Sequence, residues 1–325
     1  MNLLILSCGT RNKLVGYFKS CDMWDKVVAC DCSEYAPALY AADKYYIVPK
    51  MTSPGYFDEI LSVCAQEEIN AILPLQEDEL ILISENRAVF EAAGIFPIIS
   101  SPEAVKLCRD KYALNSYLNE KGIKAVETFT AEEYLKDSIA ENGSGLPIVS
   151  DLKFPVFVKP GLGAGSIDTF CVKTKVLLSA LVSESDSELI VQPACKGEEY
   201  GIDLFVDFIS GKAVQIFIKK KISMKAGETE KSVSVVNDKL AAFAALAVEA
   251  VGLKGPVDMD VFVDGEEFTV LEINPRFGGG YPHARECGMD VPTLIARNVK
   301  GEENTESLSY KDGVVCMKYS DIVTK

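Results

Sequence analysis

The first hundred residues alternate between two hydrophobic rhythms. The short apolar runs "NLLILS", "KVVACD", "YYIVP", "NAILPL" and "GIFPII" are too brief for helices and read as buried strands. Between them, "KLVGYFKSC" and "YFDEILSVCAQEE" carry apolar residues at helical spacing, and the stretch after "NAILPL" is also helical. This alternation predicts a parallel sheet with helices on both faces. Near residue 100 the rhythm changes. Ser101, Pro102 and Glu103 supply a capping oxygen, a first-turn proline and an early acid, which together start a helix. "DKYALNSYLNEKG" follows as a second helix ending at Gly122. Residues 123–195 hold a polar helix, the loop "ENGSG" and the strand pair "FPVFVKP" and "DTFCVK". From residue 196 the chain is strand-rich ("YGIDLFVDF", "KAVQIFIKK", "GPVDMDVFV", "FTVLEINP"), with one long helix at 237–252. The pattern divides the chain into 1–100, 101–122, 123–195 and 196–325, with no internal repeat or low-complexity tract. The expected class is α/β, with α+β character in the C-terminal part.

Composition narrows the functional classes. The chain of 325 residues is 48% hydrophobic and 25% charged, which is ordinary for a globular protein. A formal net charge of −15 argues against nucleic acid or an anionic membrane as partner, since both need a broad basic surface. "MNLLILSCGT" is too short for a signal peptide and lacks a basic leader, so it reads as a first strand. No apolar stretch reaches bilayer-spanning length. The ten cysteines lack paired zinc spacing and read as thiols of a reducing cytoplasm. His283 is the sole histidine, which leaves little room for a histidine-based triad or metal site.

Four stretches carry chemistry. In "FVKPGLGAGS", Lys159 ends an apolar strand, where a lysine costs free energy unless an anion meets it. Gly161, Gly163 and Gly165 let backbone N–H groups face phosphate oxygens, and Ser166 would add a hydroxyl. The other meaning of that loop is a hairpin tip. In "VLEINPRFGGG", Glu272 and Asn274 lie two apart on a strand and share a face. The preceding strand supplies Asp258 and Asp260, and "DGE" makes the turn. A three-residue turn would bring both aspartates to the face of Glu272, whereas a two-residue turn would put them on the other. Two carboxylates and an amide oxygen on so apolar a strand make a hard-oxygen site suited to magnesium, or to manganese in its place. Arg276 would hold a phosphoryl oxygen in its planar fork. "IKKKISMKAGETEKS" is a basic stretch with Lys219, Lys221 and Lys225, read either as a solvated strand end or as a loop closing on an anionic substrate. "LIVQPACKGEEYGID" offers a hydrophobic hinge with free backbone groups for an adenine, followed by acids for a ribose.

These four, in this order, resemble the ATP-grasp superfamily, and most of all the carbamoyl phosphate synthase large-chain branch and its single-unit relatives. The resemblance covers nearly the whole chain, through "RDKY", "FVKP" with its glycine loop, the hinge, and "LEINPRFGGG". It implies an N-terminal parallel-sheet lobe followed by a two-lobed ATP-grasp fold with ATP between the lobes. It implies that Lys111 and Lys159 contact ATP phosphates beneath the loop 161–166. Gln192 and the Ala194 backbone would meet the adenine edge, and Glu199 the ribose. Asp260, Glu272 and Asn274 match the magnesium ligands, which settles the choice between Asp258 and Asp260. Arg276 matches the arginine beside the transferred phosphate, so Arg276, Lys159 and Asn274 form the implied catalytic set. Lys219, Lys221, Lys225, Arg276 and Arg285 are the candidates for gripping substrate. The chain departs from its relatives at Gln192, where many carry glutamate.

The implied activity is ADP-forming ligation of a small carboxylate to an amine or ammonia through an acyl phosphate. The chemistry is mostly positioning and electrostatics and needs no histidine. A second reading is phosphorylation of bicarbonate or carbamate. A full carbamoyl phosphate synthase needs two ATP-grasp units and a source of ammonia, so a homo-oligomer or a glutaminase partner would supply the rest. A third is an ATP-binding regulator without turnover, whose mark would be a broken metal set.

Overall fold

The computed structural model describes residues 1–137, 154–163, 168–225, 227–305 and 307–324. Its N-terminal lobe is a five-stranded parallel sheet of β1 (Asn2–Ile5), β2 (Lys26–Asp31), β3 (Lys44–Ile47), β4 (Ala71–Leu73) and β5 (Phe96–Pro97), in the order β3-β2-β1-β4-β5. Helices α1 (Asn12–Lys19), α2 (Tyr56–Gln66), α3 (Glu77–Glu85) and α4 (Arg87–Ala92) connect the strands. β1 is apolar on both faces because both are covered. Leu4 and Leu6 pack with Ile60, Ile83 and Phe90, while Leu3 and Ile5 join a second core. That second core also contains Phe205, Phe217, Phe277 and Tyr281 from the C-terminal part. Phe18 meets Phe277 edge-on at 6.0 Å and Phe96 meets Phe208 at 5.1 Å. The first lobe is therefore fused by a shared apolar core to the last.

Two linking helices follow. α5 (Pro102–Arg109) starts where expected, with Ser101 Oγ accepting from the Ala104 amide at 3.3 Å. α6 (Lys111–Glu120) is capped by Asp110, which accepts from the Ala113 amide at 2.9 Å, and Gly122 beyond its end has φ +75°.

The small lobe is a four-stranded antiparallel sheet in the order β6-β9-β7-β8: β6 (Phe129–Thr130), β7 (Val156–Pro160), β8 (Phe170–Val172) and β9 (Leu189–Pro193). With α7 (Ala131–Asp137) and α8 (Lys175–Glu184) it has its own core of Tyr134, Val156, Val158, Leu178 and Val191.

The large lobe is a six-stranded antiparallel sheet, β14-β13-β10-β11-β12-β15. Its strands are β10 (Glu198–Val206), β11 (Ala213–Lys225), β12 (Glu228–Ser234), β13 (Gly255–Asp264), β14 (Glu267–Asn274) and β15 (Val315–Met317). α9 (Asp238–Val251) falls where the sequence places a long helix, capped by Asn237 and stopped by left-handed Gly252. It packs Leu240, Ala244 and Val248 on the apolar face of the sheet against Ile202, Met259 and Ile273. α10 (Tyr281–Glu286) and α11 (Val291–Val299) complete the lobe. No helix among the described residues is long and apolar enough to cross a membrane.

Candidate active site

Alternation along the strands of the large lobe sorts the sheet into one oily and one charged face. Register shows which residues share the charged face. Gly201 stands opposite both Lys219 and Asp260, and Asp203 opposite Phe217 and Asp258. Asp260 stands opposite Glu272, and Asp258 opposite Asn274. The hairpin that achieves this has a two-residue turn, Asp264 pairing with Glu267, which by itself would turn the aspartates away. A bulge in β14 between Val270 and Glu272 adds one residue and brings them back. The three-residue turn considered from the sequence is absent; the shared face arises from the bulge instead.

Gly201 leaves the middle of this face bare. A Cβ there would stand 3.2 Å from Lys219 Cε and 3.4 Å from Lys221 Cε. Over that bare backbone Lys219 is buried in an ion pair with Asp203, and Lys221 Nζ lies 2.6 Å from both Glu199 Oε1 and Asp260 Oδ1. Burial opposes the charge on Lys221, yet Asp260 and Glu199 hold its pKa above the usual lysine range. Burial raises the pKa of Asp260 against the pull of Lys221, and Asp258 and Glu272 add to the rise. Asn274 donates its amide nitrogen to Glu272 Oε1 at 3.3 Å, so the amide oxygen is the donor left for a cation. Among the described residues no three acidic, histidine or cysteine side chains already converge as a metal cluster. The set fits magnesium by chemistry: two carboxylates and an amide oxygen on facing strands, with phosphates to complete the shell.

The small lobe faces this array. Lys159, at the end of β7, feels Glu272 and Asp260 across the cleft. Burial pulls its pKa below the usual lysine range; Glu272 works against that, and Lys111 works with it. Lys111 sits in the first turn of α6. Its amide donates to Gly161 O at 3.3 Å and its ammonium to Gly163 O, so α6 is pinned to the glycine loop. Gly163 has φ +135°, which glycine tolerates best. Gly165 and Ser166 lie outside the described residues. At the hinge, Gln192 is 2% exposed and donates to Thr128 Oγ1 at 2.8 Å, with Asn115 donating to the same oxygen at 2.9 Å. Ala194 beside it is exposed, and Glu199 follows on β10.

Arg276 lies just beyond β14. Its guanidinium meets Asp258 at 3.1 Å and Glu77, in the first turn of α3, at 3.6 Å. The other substrate candidates are spread out. Lys225 is exposed near the hairpin tip, 4.0 Å from Glu230. Arg285 lies over the Tyr17 ring at 5.6 Å and 3.7 Å from Asp290. Sequence reading missed Asp203, Glu77 and Arg11, each of which reaches this region only through tertiary packing.

Two segments match known family models. Residues 3–99 match "PylC-like, N-terminal domain", and residues 185–321 match "ATP-grasp in the biosynthetic pathway with Ter operon". The chain is 24% identical over 269 residues to the carbamoyl phosphate synthase arginine-specific large chain of Bacillus subtilis, covering 78% of this chain and 24% of that one. It is 24% identical over 253 residues to tyramine–L-glutamate ligase of Methanocaldococcus jannaschii, covering 76% of this chain and 68% of that one. The chain thus spans about a quarter of the synthase and about two thirds of the ligase. In fold it is similar to N5-carboxyaminoimidazole synthetase from Staphylococcus aureus complexed with ADP, with a TM-score of 0.75, 18% identity, and 98% of this chain and 82% of that one covered. Residues 185–321 thus match an ATP-grasp family model, and the chain as a whole is similar in fold to the synthetase.

Proposed function

We propose that the chain is an ATP-dependent ligase that joins a small carboxylate to an amine, releasing ADP and phosphate. The supporting observation is the meeting of two charge sets across one cleft: Lys159 and Lys111 with the glycine loop on one side, Asp260, Glu272 and Asn274 on the other. Neither set is comfortable alone. A nucleotide triphosphate with its divalent cation satisfies both. In this reading ATP lies between the small lobe, residues 123–195, and the large lobe, residues 196–325. Residues 101–122 link the lobes and contribute Lys111. Gln192 and the Ala194 backbone meet the adenine, and Glu199 the ribose. Asp260, Glu272 and Asn274 would hold magnesium, which when bound neutralises phosphate charge as a Lewis acid.

The chain's own residues then do positioning work. Lys111 and Lys159 hold the phosphates, and Arg276 faces the phosphoryl group in flight. A carboxylate oxygen attacks the γ-phosphorus and ADP leaves with the bridging oxygen. An amine attacks the acyl carbon of the resulting acyl phosphate, loses a proton, and expels phosphate. The names of the relatives support amino acids as substrates, since one ligates tyramine to glutamate.

Magnesium-dependent ADP release, measured against pools of amino acids and small carboxylates with and without bicarbonate and ammonia, tests the reading. Release that requires a carboxylate and an amine is the expected result. The long match to the carbamoyl phosphate synthase large chain favours one alternative, phosphorylation of bicarbonate with a partner chain supplying the second step. Release needing bicarbonate alone would select that alternative. ATP binding with no release under any condition would leave a regulator.

A further inference from the structure

The loop after β1 carries Arg11 into contact with the large lobe, 266 residues away in sequence. Its Nη1 donates to Phe277 O at 3.3 Å, and Arg276 Nη1 donates to the same oxygen at 3.2 Å. One carbonyl oxygen therefore receives two guanidinium groups. Arg276 has Asp258 and Glu77 for charge balance. Arg11 makes no ion pair among the described residues, although it still has donors to offer. Burial and then Arg276 hold its pKa below the usual guanidinium range, while Glu228 and Asp258 pull the other way. Such an arginine is short of an anion.

The floor beside it is Gly278–Gly279–Gly280. A Cβ at Gly278 would overlap the Asp258 carboxylate. One at Gly279 would stand 2.6 Å from Glu228 Cδ, and one at Gly280 the same distance from Lys219 Cε. The bare backbone thus borders charges of both signs, with Arg11, Arg276 and Lys219 against Asp258 and Glu228. Glu228 is half-exposed and pairs with Lys318 at 2.9 Å. A phosphate or another simple anion placed here would face two carboxylates. A molecule with a carboxylate and an ammonium one carbon apart satisfies both signs. We propose that Arg11 binds the spectator carboxylate of an α-amino acid, the amine substrate, whose ammonium faces Glu228 and Asp258.

This rests on the ligase reading, and the experiment separates the two. The twenty common L-amino acids and their α-amides are each tested as the amine for ADP release, in the presence of a pool of small carboxylates that carry no amine. Binding to protein loaded with ADP and magnesium is followed by calorimetry. The expected result is release with some amino acids and a markedly higher KM for their amides. Arg11→Met should raise KM for the acid roughly 10- to 100-fold, with a smaller change in kcat, and should erase the difference between acid and amide. Arg11→Lys should restore part of it. An Arg11→Met variant that keeps KM within twofold, or a wild type that treats acid and amide alike, overturns the proposal while the ligase reading stands. If no amino acid promotes release but calorimetry shows binding that Arg11→Met abolishes, the site stands and the ligase reading fails. No saturable binding to the wild type, or inorganic phosphate competing as tightly as the amino acid, overturns the site. If Arg11→Met does not fold, Glu228→Gln decides. It should weaken the amino acid and spare the matching α-hydroxy acid; equal weakening of both overturns the proposal.

Discussion

The N-terminal lobe and the large lobe both bury titratable side chains, and they treat them in opposite ways. In the N-terminal lobe each buried acid has dedicated protein partners. Glu67, 3% exposed, takes Lys26 at 3.0 Å together with Lys44 and Tyr46. Glu79, fully buried, takes the hydroxyls of Tyr56 and Ser7. In the large lobe the charges exceed their pairings. Lys221 is shared by Glu199 and Asp260, Asp203 and Asp258 stand opposite each other, and two arginines compete for one carbonyl. Self-contained pairs hold a fold together. A crowded array with charges of both signs in excess of their pairings is the arrangement that the proposed charged ligand would complete.

If that contrast is right, Glu272→Ala should be the most damaging change. It removes an acid whose proposed role is toward the nucleotide's cation, without breaking an ion pair of the fold. ADP release should fall by roughly a thousandfold, the scale on which preorganised electrostatic groups contribute, while the urea midpoint changes little. Unchanged turnover would show that the charged face is structural, like the acids of the N-terminal lobe.

Lys219→Met sharpens the boundary between the two kinds of charge. Lys219 is 1% exposed and paired with Asp203, which is 3% exposed on its side chain. Removing one partner of a buried pair costs about 3–5 kcal/mol, because the other charge is left alone in a dry site. Urea denaturation should show a loss of that order, and adding Asp203→Asn should recover most of it. A loss that Asp203→Asn does not repair would mean that Lys219 stabilises the lobe through the Gly280 backbone it packs against.

Much of this contrast was legible in the sequence, and the illegible part has physical causes. The parallel lobe was readable because its strands are apolar on both faces and its helices amphipathic, so composition alone marks them. The strand order β3-β2-β1-β4-β5 was not, since it depends on crossovers. β12 escaped notice because "ETEKSVS" is too polar to read as a strand, and β15 because "VCM" is only three residues long. At the site, Lys159, Glu272 and Asn274 stood out as polar residues in apolar surroundings, whereas Lys111, in the charged stretch "RDKY", was marked only by the family resemblance. The facing of Asp260 and Glu272 could not be computed from turn length, because one bulged residue near Leu271 reverses the parity of the strand. Arg11 gave no signal at all. It sits in "SCGTRNK", a polar loop after the first strand, and its meaning depends on the Phe277 carbonyl 266 residues on.

The smallest expected effect tests the other side of the contrast, that buried acids in the N-terminal lobe serve the fold. Burial pushes Glu79 up to about 7, even though Tyr56 and Ser7 donate to it. The folded chain therefore binds this proton more tightly than the unfolded chain, where the usual value is 4.5. The resulting stability is fully present below pH 4.5 and is lost as pH rises through 7, a change of about 3 kcal/mol. Glu67 has the reverse sign. Lys44 and Tyr46 lead in holding it down to about 2, so its contribution is present above pH 4.5 and fades only as pH falls through 2. The interval from pH 5 to pH 8 thus separates Glu79 from Glu67. Asp260, raised to about 7, and His283, lowered to about 4, also act there, but equally in the wild type and in a Glu79 variant, so the difference between the two reports Glu79. Glu79→Gln keeps an oxygen for Tyr56 and Ser7 but cannot ionise. The wild-type urea midpoint should fall relative to that of the variant across the interval, and the variant should be the more stable of the two at pH 8. Parallel pH profiles would mean that Glu79 is already ionised in the folded chain, and its unpartnered second oxygen would then be a buried charge of the kind found in the large lobe.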